Sequence, residues 1–475
     1  MSGSAKAVPR VSDDVSRHGQ PPPSAAAPAR GAGLALFAVC LGFFMVLLDS
    51  SALNVALPRI RAEFAGGLSG LEWTVNGYTI AMAAFLLSGG SIGDRWGARR
   101  GFQVSLAGFV VSSAACAVSP SLPALVASRV VQGVAAGGLL PASLAVIAHM
   151  YAEPARRAKA LTIWGGVSSL ALVCGPVVGG ALTSAVGWRA IFLINVPVGL
   201  LAILLTQLKV APSPVHGAHL DIRGQIAAVL VVGCGVGALI EGGDRGWASP
   251  LTCALLAVAV ASLAAFAWIE QRVPHPMLPL SLFTRPRFVA GLAIGALFQF
   301  GAYGAQFALS LHLQNVWGLD ALGAGLSFVP FAAMWTFASF VLARLVSRTG
   351  AKPLLVAGAL GAACGAALLV PLGEQPSWSL FVAGSCLLGL GAGLMGPSLP
   401  AVVLGALPTH QSGLASGALN ALRQVGGAVG IALFGLLLEE YAPGIGLRIC
   451  LALVAVGFLA TVAAVLWSMP RKAAP

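Results

Sequence analysis

Asp49 is the residue of this chain with the clearest chemical potential. It stands in Leu47-Leu48-Asp49-Ser50-Ser51-Ala52-Leu53-Asn54, well inside an apolar run, whereas the other fourteen of the fifteen carboxylates fall in tails, loops or run ends. An ionisable group in such a setting is costly and is retained for function or pairing. Low dielectric favours the neutral form of a carboxyl, so a group of this kind can load and release a proton. The competing reading is a permanently ionised residue paired to an arginine, or a polar packing residue. Arg129, in Arg129-Val130-Val131-Gln132-Gly133, is the matching cation near the start of another apolar run. A guanidinium keeps its charge, so its role is electrostatic: it favours the charged form of a nearby carboxylate or contacts a substrate. Snorkelling to an interface is the alternative.

Neutral polar residues form the second pattern. Gln299, Tyr303, Gln306, Ser310 and Gln314 follow one another at steps of 4, 3, 4 and 4, which places them on one helical face. In lipid that face must turn toward protein or a water-filled cavity. Asn420, Arg423 and Gln424 form a similar cluster near the chain's end. Together with Asn54, Asn76 and Gln132, these residues (Gln424 excepted) are assigned to a substrate cavity; glue between helices is the other use for any one of them. His149 and His312 read as packing residues, and so do the eight cysteines, all within apolar runs and none paired as CxxC. No phosphate-binding G-x-x-x-x-G-K-[ST] loop, metal cluster or nucleophile constellation is present in the sequence. The chain is therefore expected to be no enzyme and to need no metal or cofactor.

The elements that must position these groups are transmembrane helices. The 475 residues are 58% hydrophobic and 9% charged, with a mean hydropathy of +0.90; soluble domains carry about 25% charged residues. About fourteen runs reach the length of roughly 20 residues that crosses a bilayer, including 33–57, 73–93 and 288–316. The net charge of +12 is explained by topology rather than by nucleic acid. With the N-terminus inside, inner segments hold twenty Lys and Arg against five in outer segments, as the positive-inside rule requires. Both termini are then cytoplasmic. The first 32 residues, rich in Pro, Ala and Ser, read as a disordered tail with no cleavable signal.

A repeat organises the runs. Arg95-Trp96-Gly97-Ala98-Arg99 and Arg348-Thr349-Gly350-Ala351-Lys352 share the pattern R-x-G-A-[RK] in two short inner loops. Aligning them makes runs 1–6 equivalent to runs 9–14, with two runs inserted between. The resulting division is a tail (1–32), an N-terminal six-helix bundle (33–208), a two-helix insert (209–287), a C-terminal six-helix bundle (288–468) and a tail (469–475). Two such halves with a site at their interface are a recognised transporter plan. Gly175-Pro176-Val177-Val178-Gly179-Gly180 interrupts the fifth run; proline and glycine there give either a pivot between helices or a static kink.

These motifs resemble the major facilitator superfamily, in its fourteen-helix drug:proton antiporter branch, over residues 33–468. Gly90, Asp94, Arg95, Gly97, Arg99 and Arg100 match the family's inner loop between helices two and three, with Ser347 replacing the acid in the second copy. Arg129, Gln132 and Gly133 match its helix-four motif, and Gly175, Pro176, Gly179 and Gly180 its helix-five motif, with Ala171 in place of an earlier glycine. Asp49 through Asn54, Ala56 and Pro58 are similar to the branch's helix-one motif. Trp188, Asn195, Gly417 and Gly426 are similarly placed branch features.

The resemblance implies a monomeric cell-membrane antiporter that exchanges protons for small molecules. Asp49 and Arg129 would couple the proton, while the loop-two motif and the helix-five glycines would act in gating. A proton-coupled importer on the same fold, or a membrane sensor that moves nothing, are the alternatives.

Overall fold

In a computed structural model of the protein, the structure describes residues 32–213, 221–274, 276–339, 349–408 and 411–468, apart from the side chains of 87–95, 168, 169, 172, 173, 412 and 443. The expected terminal tails fall almost wholly outside these residues, as does the loop holding Ser347 and Arg348. Helices make up the chain: α1 (Ala32–Phe64), α2 (Leu68–Trp96), α3 (Ala98–Ala117), α4 (Leu122–Met150), α5 (Pro154–Ala185), α6 (Arg189–Leu193), α7 (Asn195–Lys209), α8 (Ile222–Arg245) and α9 (Pro250–Glu270) precede a short 3-10 turn, Leu280–Thr284. Then come α10 (Pro286–Asn315), α11 (Ala321–Ser327), α12 (Val329–Phe337), α13 (Ala351–Leu369), α14 (Trp378–Leu404), α15 (Ser412–Glu440) and α16 (Pro443–Ser468).

Local chemistry fixes the helix ends. Proline occupies the first turn of α4, α5, α9 and α10, where its missing N–H costs nothing. Asp221 and Asp320 cap α8 and α11 by accepting the Gly224 and Gly323 N–H, each at 2.8 Å. Ten helices among the described residues are long and apolar enough to cross a membrane, counting α6–α7 as one. With α2, α3, α5 and the joined α11–α12, the arrangement is compatible with fourteen traverses.

The sequence repeat is visible in the packing. Gly133 and Gly137 of α4 lie on the carbonyls of Tyr78 and Met82 in α2, and Gly389 and Gly393 of α14 lie on those of Phe331 and Trp335 in α12. Gly175 and Gly179 of α5 press on Ser51 and Ala52 of α1, as Gly426 and Gly430 of α15 press on Ala296 and Phe300 of α10. Glycines four residues apart leave one helical face bare, so two backbones approach without side chains between them. Gly97 and Gly350, the shared glycine of the R-x-G-A-[RK] pattern, both turn the chain at φ +82°, a conformation that only glycine adopts freely. The motif's spacing therefore encodes a tight turn between helices.

The halves meet along three seams: α2 with α15, α5 with α11, and α1 with α10. The first two are equivalent under the repeat. The inserted α8 packs on both α2 and α15 and carries α9 on its far side. Only 11% of the apolar window of α9 is buried, against 67% for α4, so α9 presents its surface to lipid while α4 belongs to a core.

Gly133→Ala would drive a Cβ into the Tyr78 carbonyl, whereas a Cβ on Gly165 of α5 meets nothing within 4 Å. Overpacking a tight site costs ~1–3 kcal/mol. Thermal unfolding of the purified protein is expected to fall for Gly133→Ala and to stay level or rise for Gly165→Ala.

Candidate functional site

Five helices of the first half converge on Asp49. The residue is fully buried on α1, and its Oδ2 accepts from Nη1 of Arg129 on α4 at 2.5 Å. Its Oδ1 accepts from Gln132 Nε2 at 3.2 Å and from Asn195 Nδ2, at the start of α7, at 3.0 Å. Ser113 of α3 ties these two amides together, its Oγ accepting from Gln132 at 3.2 Å and from Asn195 at 3.0 Å. From α2 comes Tyr78, whose ring lies 4.1 Å from the Arg129 guanidinium carbon.

Arg129 is equally enclosed, with 0% exposure. Besides Asp49, its Nη1 donates to Gln132 Oε1 at 2.7 Å and its Nε to the Thr74 carbonyl at 3.2 Å. Its Nη2 has no hydrogen-bond partner among the described residues. Helical spacing accounts for the geometry: Arg129 and Gln132 stand three residues apart, on one face of α4.

Every described hydrogen-bond partner of the Asp49 carboxylate donates to it. Breaking a buried pair strands an uncompensated charge, at a cost of about 3–5 kcal/mol.

The second half contributes a different cluster. Arg423 of α15 donates to Gln299 Oε1 of α10 from Nε at 3.3 Å and from Nη2 at 3.1 Å. Tyr303, one turn further along α10, packs its ring on Gly427. Ser310 donates to the backbone carbonyl of Asn54 at 3.1 Å, and Gln314 bonds back to Ser310 at 3.3 Å. Gln306 lies half-buried on the same face, while Asn420 turns to its own helix, donating to the Ser416 carbonyl at 2.9 Å.

The polar stripe thus faces α1 across the seam between the halves. Asn54 Oδ1 and both amide atoms of Asn76 are buried with no hydrogen-bond partner among the described residues. Groups of that kind normally meet water or ligand, which suits cavity positions.

The remaining assigned residues divide by location. Gly97 makes the turn described above, and Arg99 Nη1 donates to the Val210 carbonyl at 2.9 Å. Arg100 lines a cleft of about 320 Å³ with Trp96, Gln207 and Ser213. The side chains of Gly90, Asp94 and Arg95 lie outside those described. In α5, Gly175 and Gly179 face α1, while the Pro176 carbonyl meets Gly325 and Gly180 meets Ala321, both on α11. One motif therefore serves two faces, fastening α5 within its half and to the other half.

Three groups escape the sequence reading. Asn195 carried only a motif signal, and Ser113 none, because neither bears charge. Glu72, assigned there to the end of a run, sits one turn inside α2 with 3% exposure.

Comparison with known proteins follows this geometry. The family model described as Major Facilitator Superfamily matches residues 39–431. The chain is 35% identical over 409 residues to the "Multidrug resistance protein Stp" of Mycobacterium tuberculosis, covering 86% of this chain and 76% of that protein. It is 33% identical over 410 residues to the "Tetracenomycin C resistance and export protein" of Streptomyces glaucescens, covering 85% of this chain and 76% of that protein. The crystal structure of the human organic anion transporter MFSD10 (TETRAN) superposes with a TM-score of 0.64 at 19% identity, covering 91% of this chain and 99% of that one; at that identity the likeness concerns the fold alone.

Proposed function

Because this chain belongs to the major facilitator superfamily, we propose that it exports small molecules, drugs or similar amphiphiles, in exchange for protons by alternating access. It works as a monomer in the cell membrane with both termini in the cytoplasm. Bundles at 33–208 and 288–468 rock against each other, with the insert 209–287 riding on the seam.

The Asp49–Arg129 pair carries this reading through its own helix. Asp49 faces the interior of the first half, while Asn54, further along α1, accepts at its backbone carbonyl from Ser310 of the second half. A rearrangement of the buried pair moves the same stretch of α1 that lines the seam. Coupling requires each ligand to favour one state over the other. A proton on Asp49 frees Arg129 and favours release of substrate on the outer side, and loss of that proton inward restores the pair.

The seam supports a state closed on the outer face. On the side assigned outward by the Lys and Arg distribution, Gly180 packs on Ala321, Gly325 on Pro176 and Gly435 on Glu72. Asp49 is paired in this state, as an exporter awaiting substrate from the cytoplasm requires.

Expression in an efflux-deficient bacterial host tests the function. Resistance is expected to rise for at least one of tetracenomycin C, puromycin, ethidium or a quaternary ammonium dye, and ethidium accumulation to fall in energised cells. A protonophore should restore accumulation. Unchanged resistance across the panel with verified membrane expression, or export indifferent to the protonophore, would reject the proposal.

A further inference from the structure

We propose that Glu72 is a second proton-binding site of this protein and that its proton closes the outer gate. The carboxyl lies one turn into α2, 3% exposed, against Gly435 of α15, where an added Cβ would fall on the carboxylate itself. It has no hydrogen-bond or ion-pair partner among the described residues. This is the converse of Asp49. One buried acid is surrounded by donors; the other meets a bare glycine, where a charge has nothing to stabilise it.

The charged groups around it reinforce the argument. Glu439 from α15 and Asp244 from α8 both act on Glu72 with like charge. The nearby cation of α8, Arg245, is engaged with Glu241 at 2.8 Å and Asp244 at 4.0 Å. Glu241 in turn accepts from Trp73, the neighbour of Glu72, at 3.2 Å. The arginine that α4 extends to this stretch of α2 is Arg129, already bound to Asp49 and the Thr74 carbonyl. A proton on Glu72 thus favours the closed seam, where its charge would stand unpaired beside two others of like sign.

The repeat gives this position its meaning. Seam α2–α15 is the counterpart of seam α5–α11, where Gly325 of α11 meets the Pro176 carbonyl. By the offset that relates Gly97 to Gly350, Glu72 is the counterpart of Gly325. In the α5–α11 seam that place is a glycine packed on backbone; in the α2–α15 seam it is an acid packed on a glycine nearer the outer end, and this seam closes when the acid is protonated.

Opening the seam wets Glu72 and releases its proton outward, and closing takes one up from the same side. The site transports no net charge. It makes an acidic exterior, the condition that drives proton entry, favour reclosure after substrate has left. The idea rests on the alternating-access reading, but its test reads the gate and needs no transport.

Spin labels placed at Ser121→Cys and Glu374→Cys, exposed residues at the outer ends of the two halves, report outer separation in the purified protein when its native cysteines are replaced. A closed state holding one more proton than the open state gains at low pH. The open-to-closed ratio is therefore expected to rise with pH above the ordinary carboxylate range, by up to about tenfold per pH unit. Glu72→Gln should stay closed across that range, while Asp49→Asn should keep the Glu72-dependent rise.

Infrared spectroscopy gives a second readout: a protonated-carboxyl C=O band at neutral pH, missing from Glu72→Gln. Should the amide variant fail to fold, Glu72→Met, similar in length and uncharged, replaces it in both measurements. An unchanged pH profile in the variant, or a wild-type spectrum lacking that band, overturns the inference. Loss of drug export with the gate profile intact would instead count against the exporter reading alone.

Discussion

Asp49→Asn is expected to abolish pH-gradient-driven export in everted membrane vesicles at normal expression, with some loss of thermal stability because Arg129 is left buried without its anion. Asparagine keeps the shape of the side chain and one acceptor oxygen for Arg129, Gln132 and Asn195. What it removes is the ability to exchange a proton. The cavity, the seam and the glycine contacts of α5 are untouched, so downhill movement of a transported compound should persist in the variant. Loss of both downhill and driven flux would point to a structural defect rather than to uncoupling. Driven flux at the wild-type rate would show that the proton is carried elsewhere.

Arg129→Ala has the largest expected effect on stability. The substitution leaves the Asp49 carboxylate enclosed without its cation, and breaking a buried pair in this way costs ~3–5 kcal/mol. The Thr74 carbonyl and Gln132 Oε1 also lose their donor, and the Tyr78 ring loses the guanidinium on its face. Combining Arg129→Ala with Asp49→Asn removes the stranded charge, so the double variant is expected to be more stable than Arg129→Ala alone. Thermal unfolding of the four proteins forms a double-mutant cycle, and additive losses would show that the two charges do not act as a pair. Arg129→Lys should also fall short, because an ammonium lacks the planar fork that reaches Asp49, Gln132 and Thr74 together.

Much of this architecture is written in the chain because lipid enforces simple rules. Apolar runs and basic loops specify traverses and their direction, and a lone acid in an apolar run is conspicuous. Asp49, Arg129 and the R-x-G-A-[RK] turn were legible on those grounds. The turn's glycine proves to be required by its positive φ, at both Gly97 and Gly350.

Neutral residues are harder to read. Ser113 and Asn195 complete the Asp49 site, yet a serine or asparagine within an apolar stretch usually serves packing. Glu72 was misplaced because the second run was taken to begin at 73, whereas α2 begins at Leu68; the extra turn carries the acid into the seam. The correspondence between Gly175 and Gly179 on one side and Gly426 and Gly430 on the other was hidden for another reason. It depends on which carbonyl each glycine touches, and spacing alone does not reveal that.

In the proposed exchange a proton on Asp49 displaces Arg129, and substrate competes with that proton. Proton release from purified protein in weakly buffered detergent solution reads this directly when a compound that the wild type exports is added. Wild-type protein is expected to release protons on addition of the compound, and Asp49→Asn protein to bind the compound without release. Equal release from both proteins, or none from the wild type at saturating compound, would contradict the mechanism.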